Sequence, residues 1–194
     1  MTTTKTRTND FCQCEKATAQ QNQPMTADIV HQAIKCMKQA GITTITIDFG
    51  HTLVDVHTGG TFYGDADELC RHVRPVFRAL LPALVQHPDL QVAIVTFSPQ
   101  KLLVRYVVES IVGSECIDSI EIRGGSAFYF VGHGAWPVGK QAHIASLPNL
   151  THALLIDDSL YNIAVAKLSG TQAIYFDPDE PDTLLEDIVH ILSD

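Results

Sequence analysis

Residues 43–53, TTITIDFGHTL, place a carboxylate at the end of an apolar, β-branched run. Such a run predicts a buried strand over Thr43–Phe49, because β-branched side chains pack well on a pleated surface. Two similar runs follow, VAIVT at Val92–Thr96 and ALLI at Ala153–Ile156, and polar residues stand at the end of each. Helical patterns separate these runs, which favours a parallel sheet covered by helices on both faces.

Periodicity, glycine and proline predict the remaining elements. The first predicted helix begins near Thr26. The second covers Asp65–Val85, with a bend or restart at Pro75. The others cover Lys101–Val112, Lys140–Ser146, Tyr161–Leu168 and Thr183–Leu192. Short strands are predicted at Ile117–Ile122 and Ala173–Phe176, with an aromatic loop between Phe128 and Trp136. The expected fold class is α/β, a Rossmann-like three-layer sandwich with a mainly parallel central sheet. Residues 1–24 are expected to form a flexible polar tail, and residues 25–194 a single domain.

Composition narrows the functional classes. The chain has 194 residues, of which 45% are hydrophobic, and a net charge of −9, which suits one soluble domain. The negative charge argues against a nucleic-acid or anionic-membrane partner, since either requires a basic surface. No apolar run approaches the roughly 20 residues of a membrane span, and the polar N-terminus has no signal-peptide core. A cytoplasmic location, with the five cysteines as reduced thiols, is therefore expected.

The residues that follow the apolar strands carry the expected chemistry. Ligands of parallel α/β sheets bind beyond the carboxyl ends of the strands, where the sequence places Asp48, Thr96, Asp157 and Asp158, with Lys140 opening a helix nearby. A carboxylate can attack phosphorus and carry the phosphoryl group. Mg²⁺ bound by carboxylates would offset the repulsion between anions, while a hydroxyl and an ammonium hold the phosphoryl oxygens. The constellation therefore predicts phosphoryl transfer to a carboxylate.

The same residues resemble a known family. The segment Asp48-Phe-Gly50-His-Thr-Leu53 resembles the first motif of the haloacid dehalogenase (HAD) superfamily, usually Asp-x-Asp-x-Thr. Thr96 resembles the second motif, Lys140 the third, and the segment 157–162 the fourth, in the family's order over residues 43–177. The resemblance implies a Mg²⁺-dependent phosphohydrolase.

The resemblance also implies roles for single residues. Asp48 would be the nucleophile and a Mg²⁺ ligand, together with Asp158 and the backbone carbonyl of Gly50. Thr96 and Lys140 would bind the phosphoryl group and complete the catalytic set.

Further residues of the motifs have supporting roles or depart from the pattern. Asp157 would orient Lys140 or the waters of the metal, and Asn162 would lie in the outer shell of the site. Gly50 stands where HAD phosphatases usually carry a second Asp, the general acid/base, whose loss typically costs about 10²–10⁴-fold in rate. His51 is adjacent and could shuttle a proton, although a structural role is favoured for it.

The segments between the motifs are short. Residues 54–91 and 97–139 each fall below the roughly 50 residues of an independent domain, so the chain resembles capless HAD members. Their open sites take macromolecular substrates such as phosphoproteins, or are closed by a neighbouring subunit in a homodimer. The aromatic segment 128–136 could be a substrate platform, a dimer contact or a loop folded onto its own core. His57, Arg74 and Lys101 are expected to be surface side chains, with a phosphate contact as the alternative for His57.

Two functions stay open at this point. The first is a Mg²⁺-dependent phosphomonoesterase, slow because of Gly50, that acts through an aspartyl-phosphate on Asp48. The second is a pseudophosphatase that binds phosphate or a phosphorylated protein without turnover. A receiver-type signalling domain is disfavoured, because receivers carry their acidic pair on the first strand and the pair 157–158 comes late in this chain.

Overall fold

The computed structural model describes residues 23–57, 60–125, 128–131, 134–137, 139–148 and 150–193. Residues 1–22, most of the predicted polar tail, lie outside the described residues, as do two of the five cysteines. The described cysteines, Cys36, Cys70 and Cys116, are free thiols.

The strands form one parallel sheet and one separate hairpin. In chain order they are β1 (Thr44–Ile47), β2 (Gln91–Val95), β3 (Ile120–Arg123), β4 (Phe128–Val131), β5 (Gly134–Pro137), β6 (Ala153–Asp157) and β7 (Gln172–Tyr175). Five of them form a parallel sheet in the order β3-β2-β1-β6-β7. The predicted α/β class with a parallel central sheet is confirmed, and β1 lies at the centre of the sheet.

Helices connect the strands, as the alternating pattern predicts. They are α1 (Gln23–Gln39), α2 (Ala66–Arg71), α3 (Pro75–Leu84), α4 (Lys101–Val112), α5 (Gln141–Ala145), α6 (Leu160–Leu168) and α7 (Leu184–Ser193), with 3-10 turns at Ile117–Ser119 and Pro181–Thr183. The helix predicted from Asp65 restarts at Pro75, which occupies the first turn of α3, where its missing N–H is tolerated. Within the described ranges, no helix is both long and apolar enough to cross a bilayer.

The sheet is buried on both faces. In β6, Leu154 and Ile156 belong to a core cluster with α1, α3, α4 and α7, whereas Ala153 and Leu155 belong to a second cluster with α5 and α6. The alternation follows from the two-residue period of a strand. It explains why the strands read as continuous apolar runs, and it completes the three-layer sandwich.

Two local predictions were wrong. The segment expected to be an aromatic loop contains the antiparallel hairpin β4–β5, in which Tyr129 pairs with Trp136. Aromatic and β-branched residues favour extended backbone, and two residues separate the strands, a common hairpin spacing. The strand predicted from Ile117 begins with a 3-10 turn and becomes extended only at Ile120.

Candidate active site

The register of the central strands brings the polar strand ends together. Ile47 of β1 pairs with Ile94 of β2 and with Ile156 of β6. The next residue, Asp48, donates its backbone N–H to the carbonyl of Ile156 at 2.9 Å. Asp48 therefore lies beside Asp157 at the carboxyl edge, where ligands of such sheets bind.

A buried ion pair joins Asp48 to Lys140. The Lys140 Nζ donates to Asp48 Oδ1 at 2.7 Å, and the two residues are only 2% and 6% exposed. The same ammonium lies 4.1 Å from the centre of the Phe97 ring. Burial raises the pKa of Asp48, and the charge of Asp158 raises it further, while Lys140 acts in the opposite direction. One ammonium thus compensates the carboxylates of this edge only in part.

A glycine places Lys140 at this position. Lys140 is the N-cap of α5, and Gly139 before it has a positive φ of 58°. A Cβ at Gly139 would also come within 3.3 Å of Asn162 Oδ1 and 3.4 Å of Val165. Both the turn and its close approach to α6 therefore favour glycine.

Two further carboxylates converge on Asp48, the acidic member of the ion pair with Lys140. One carboxylate oxygen from each of Asp48, Asp157 and Asp158 lies within 4.8 Å of the other two. Hard divalent cations such as Mg²⁺ prefer carboxylate oxygens and usually bind through one or two of them. The donor set and its excess of negative charge fit such an ion.

Asp157 is held inside the protein by two hydrogen-bond donors. Its Oδ1 accepts from the backbone N–H of Ser159 at 2.8 Å, and Asn162 Nδ2 lies 2.9 and 3.0 Å from its two carboxylate oxygens. Burial raises the pKa of Asp157 to about 7, and the charge of Asp48 adds to this effect, although Lys140 and both donors oppose it. The metal-free site therefore disfavours full ionisation near neutral pH.

Asp158 is fixed by the loop that follows β1. Its Oδ1 accepts from Thr52 Oγ1 at 3.2 Å, and its backbone N–H donates back to that hydroxyl at 3.1 Å. His51 Nδ1 lies 3.2 Å from Asp158 Oδ2, and His51 has a left-handed backbone with φ of 66°. The reciprocal pair with the buried Thr52 was missed from the sequence, where Thr52 counted only as part of a motif.

Most of the predicted site residues line one cavity of about 300 Å³. Its described lining comprises Asp48, Gly50, His57, Gly60, Thr96, Phe97, Ser98, Lys140, Asp158, Ser159, Tyr161 and Asn162. Thr96 is buried, and its Oγ1 accepts from the backbone N–H of Ser98 at 3.1 Å. Its own O–H can therefore donate to an oxygen in the cavity. The structure brings these residues together, and their catalytic and metal-binding roles stay predictions.

One residue near the site was wrongly expected at the surface. Arg74 is only 8% exposed, and its guanidinium donates to the backbone carbonyls of His51 at 3.3 Å and Pro178 at 3.2 Å. It also lies 5.1 Å from the centre of the Phe176 ring. Arg74 therefore ties the loop after β1 to the segment after β7. Lys101 is exposed, as expected.

Comparisons with known proteins find similarity only among solved structures. No family model matches the chain, and no curated protein matches it. The solved structures that are similar include two of the HAD domain of effector protein Lem4 from Legionella pneumophila. The inactive mutant has a TM-score of 0.41 and 13% identity over 78% of this chain and 96% of that chain. The other structure has a TM-score of 0.43 and 13% identity over 79% and 98%. Values this low support no conclusion about family or activity.

Proposed function

We propose that the chain is a Mg²⁺-dependent phosphohydrolase of the HAD type that cleaves phosphate monoesters through an aspartyl-phosphate on Asp48. The observation that carries the proposal is the buried 2.7 Å pair between Lys140 and Asp48, next to the carboxylates of Asp157 and Asp158. A nucleophilic carboxylate, an ammonium and further acidic ligands at one cavity are what this chemistry requires.

Each site residue has its own role in the reaction. Asp48 attacks phosphorus, and Lys140, 2.7 Å from that carboxylate, lies where it can stabilise the phosphoryl oxygens as the new bond forms. Thr96 donates its hydroxyl to the same group. Asp48, Asp158 and the backbone carbonyl of Gly50 would hold Mg²⁺, which when bound offsets the repulsion between nucleophile and phosphate.

The surroundings of the cavity support a phosphorylated protein as the substrate. Tyr161 lines the cavity and is 53% exposed, and its neighbour Leu160 is 67% exposed. Apolar side chains beside a phosphate site can contact the residues that flank a phosphorylated side chain. A small polar metabolite would make no use of them.

Gly50 supports a second candidate, a pseudophosphatase that binds phosphate or a phosphoprotein. Gly50 lines the cavity and offers no side chain for proton transfer. It is not one of the described glycines with positive φ, so an aspartate suits its backbone. If only the acid/base is missing, Gly50→Asp should raise the rate of phosphate release by up to about 10²–10⁴-fold. If the wild type releases no phosphate and Gly50→Asp shows no gain, with Mg²⁺ still bound, the pseudophosphatase is favoured.

The first test is phosphate release from p-nitrophenyl phosphate with Mg²⁺ and with EDTA. Asp48→Asn keeps the size of the side chain and removes the nucleophile, so it should abolish release. Asp28→Asn, an exposed change on α1, should leave release unaltered. Circular dichroism establishes that both variants are folded. Release that survives in folded Asp48→Asn would refute the proposed function. If the chain binds Mg²⁺ and phosphate but releases no phosphate from the ester, the pseudophosphatase is favoured.

A further inference from the structure

The chain after the proposed nucleophile folds back before residue 57. Gly50 forms a β-bridge with Val54, and the backbone N–H of His51 donates to the carbonyl of Val56 at 3.0 Å. His57 follows Val56 directly, and the centres of the His51 and His57 rings are 6.2 Å apart. The turn therefore returns His57 to the neighbourhood of Gly50, the position that lacks a side chain.

His57 also lines the cavity. Of the described titratable side chains in that lining, three already have roles as nucleophile, phosphate ligand or metal ligand. The two others are His57 and Tyr161. A tyrosine hydroxyl ordinarily keeps its proton at neutral pH, whereas an imidazole ordinarily gains and loses one there. His57 is exposed, so water can reach it.

His51 is placed less well for this task. Its Nδ1 lies 3.2 Å from Asp158 Oδ2, which ties its ring to a proposed metal ligand. In addition, His51 is not part of the described cavity lining. A group that protonates a leaving oxygen must reach the substrate directly or through one water. Of the two histidines, only His57 borders the space where the ester would bind.

We propose that His57 is the general acid and base of the reaction, in place of the side chain that Gly50 lacks; this inference rests on the proposed function. In the first step, an Asp48 oxygen bonds to phosphorus, the ester P–O bond breaks, and the leaving oxygen takes a proton from the His57 imidazolium. In the second step, neutral His57 takes a proton from water as the water oxygen attacks phosphorus. The P–O bond to Asp48 breaks and its electron pair restores the carboxylate. One ester and one water give one alcohol and one phosphate.

The test compares two esters that differ in how much their leaving group needs a proton. The glycerol of glycerol 2-phosphate leaves as a strongly basic alkoxide unless its oxygen is protonated. The nitrophenolate of p-nitrophenyl phosphate leaves readily without a proton. With Mg²⁺ and the full chain, His57→Gln should lower kcat for glycerol 2-phosphate by about 10²–10⁴-fold. With p-nitrophenyl phosphate, the rate of the first step should fall by less than about tenfold. Because the second step lacks its base, the phosphoenzyme should accumulate. One equivalent of nitrophenolate should therefore be released in a burst.

Three further variants sharpen the result. Added imidazole should restore part of the glycerol 2-phosphate rate in His57→Ala, because the exposed position admits it. His31→Gln, an exposed change on α1, should match the wild type. In His51→Gln, the loss of rate should not be larger for glycerol 2-phosphate than for p-nitrophenyl phosphate. The proposal is overturned if His51→Gln shows this difference between the esters and His57→Gln does not.

The remaining outcomes separate this inference from the proposed function. Equal losses for both esters in His57→Gln, with no burst, would make His57 a phosphate contact and overturn the inference while the phosphohydrolase stands. A wild-type chain that hydrolyses neither ester overturns both, and it is recognised before any variant is measured.

Discussion

Asp157 should make the metal-free protein less stable at neutral than at mildly acidic pH. Burial, reinforced by the charge of Asp48, raises the pKa of this carboxyl from 3.8 to about 7. An aspartate in the unfolded chain ionises near its ordinary value. Between pH 4 and 7, roughly, the folded state therefore holds a proton that the unfolded state has released. When the native state binds more protons, the free energy of unfolding falls as pH rises.

The size of the effect follows from the two pKa values. A difference of about three pH units corresponds to about 4 kcal/mol, since each unit is worth about 1.36 kcal/mol. Domains of this kind are stable by only about 5–15 kcal/mol in total. The loss should therefore be visible in a denaturant titration. Asp157→Asn cannot ionise, so it should remove this component of the pH dependence.

Urea unfolding in EDTA, near pH 5 and near pH 8, measures the effect. From the lower to the higher pH, wild type should lose about 2–3 kcal/mol more than Asp157→Asn does, because about two of the three pH units fall in this range. Asp28→Asn, the exposed control, should follow the wild type. Comparing variants cancels the contribution of titrating groups that do not interact with Asp157. A stability difference between wild type and Asp157→Asn that is the same at both pH values would refute the reasoning.

Substitutions at three positions test how the site is held. Lys140→Met leaves Asp48 buried without its partner, so urea unfolding in EDTA near pH 8 should show a loss of about 3–5 kcal/mol; a loss below about 1 kcal/mol would contradict the buried pair. Gly139→Ala adds a Cβ at a positive φ, which should cost about 1 kcal/mol or more in unfolding free energy and lower kcat by displacing Lys140. Arg74→Met removes the donor to the His51 carbonyl and should destabilise the protein by about 1–3 kcal/mol, with Arg74→Lys recovering little because it lacks the planar fork. An unchanged urea midpoint in Arg74→Met would show that the buried guanidinium does not hold this loop.

The central sheet and the position of the site could be predicted because their signals are local. A run such as ALLI is buried on both faces and reads as apolar throughout, which marks it as a strand of a parallel sheet. Once the strands are parallel, their carboxyl ends share one edge. Asp48, Thr96 and Asp157, each at or just beyond the end of an apolar run, could then be placed together without knowledge of strand order.

The rest depends on partners far away in the sequence. Arg74 looks like any charged residue at a helix start, and its burial is decided by Pro178 and Phe176, about a hundred residues away. The neighbourhood of His57 depends on a backbone hydrogen bond between His51 and Val56 that follows no periodic pattern. Such contacts arise from packing and turn geometry, which single-sequence patterns do not encode.

The charges of the site set the order in which ligands can enter. Ionised Asp48, Asp157 and Asp158 carry three negative charges against the one positive charge of Lys140, and burial already raises the pKa of two of these acids. A phosphate group would add up to two more negative charges. Inorganic phosphate should therefore bind, by isothermal titration calorimetry near pH 8, only when Mg²⁺ is present. Binding of equal strength in EDTA would mean that Lys140 and the backbone suffice as an anion site, and it would remove the physical reason for placing a cation among these carboxylates.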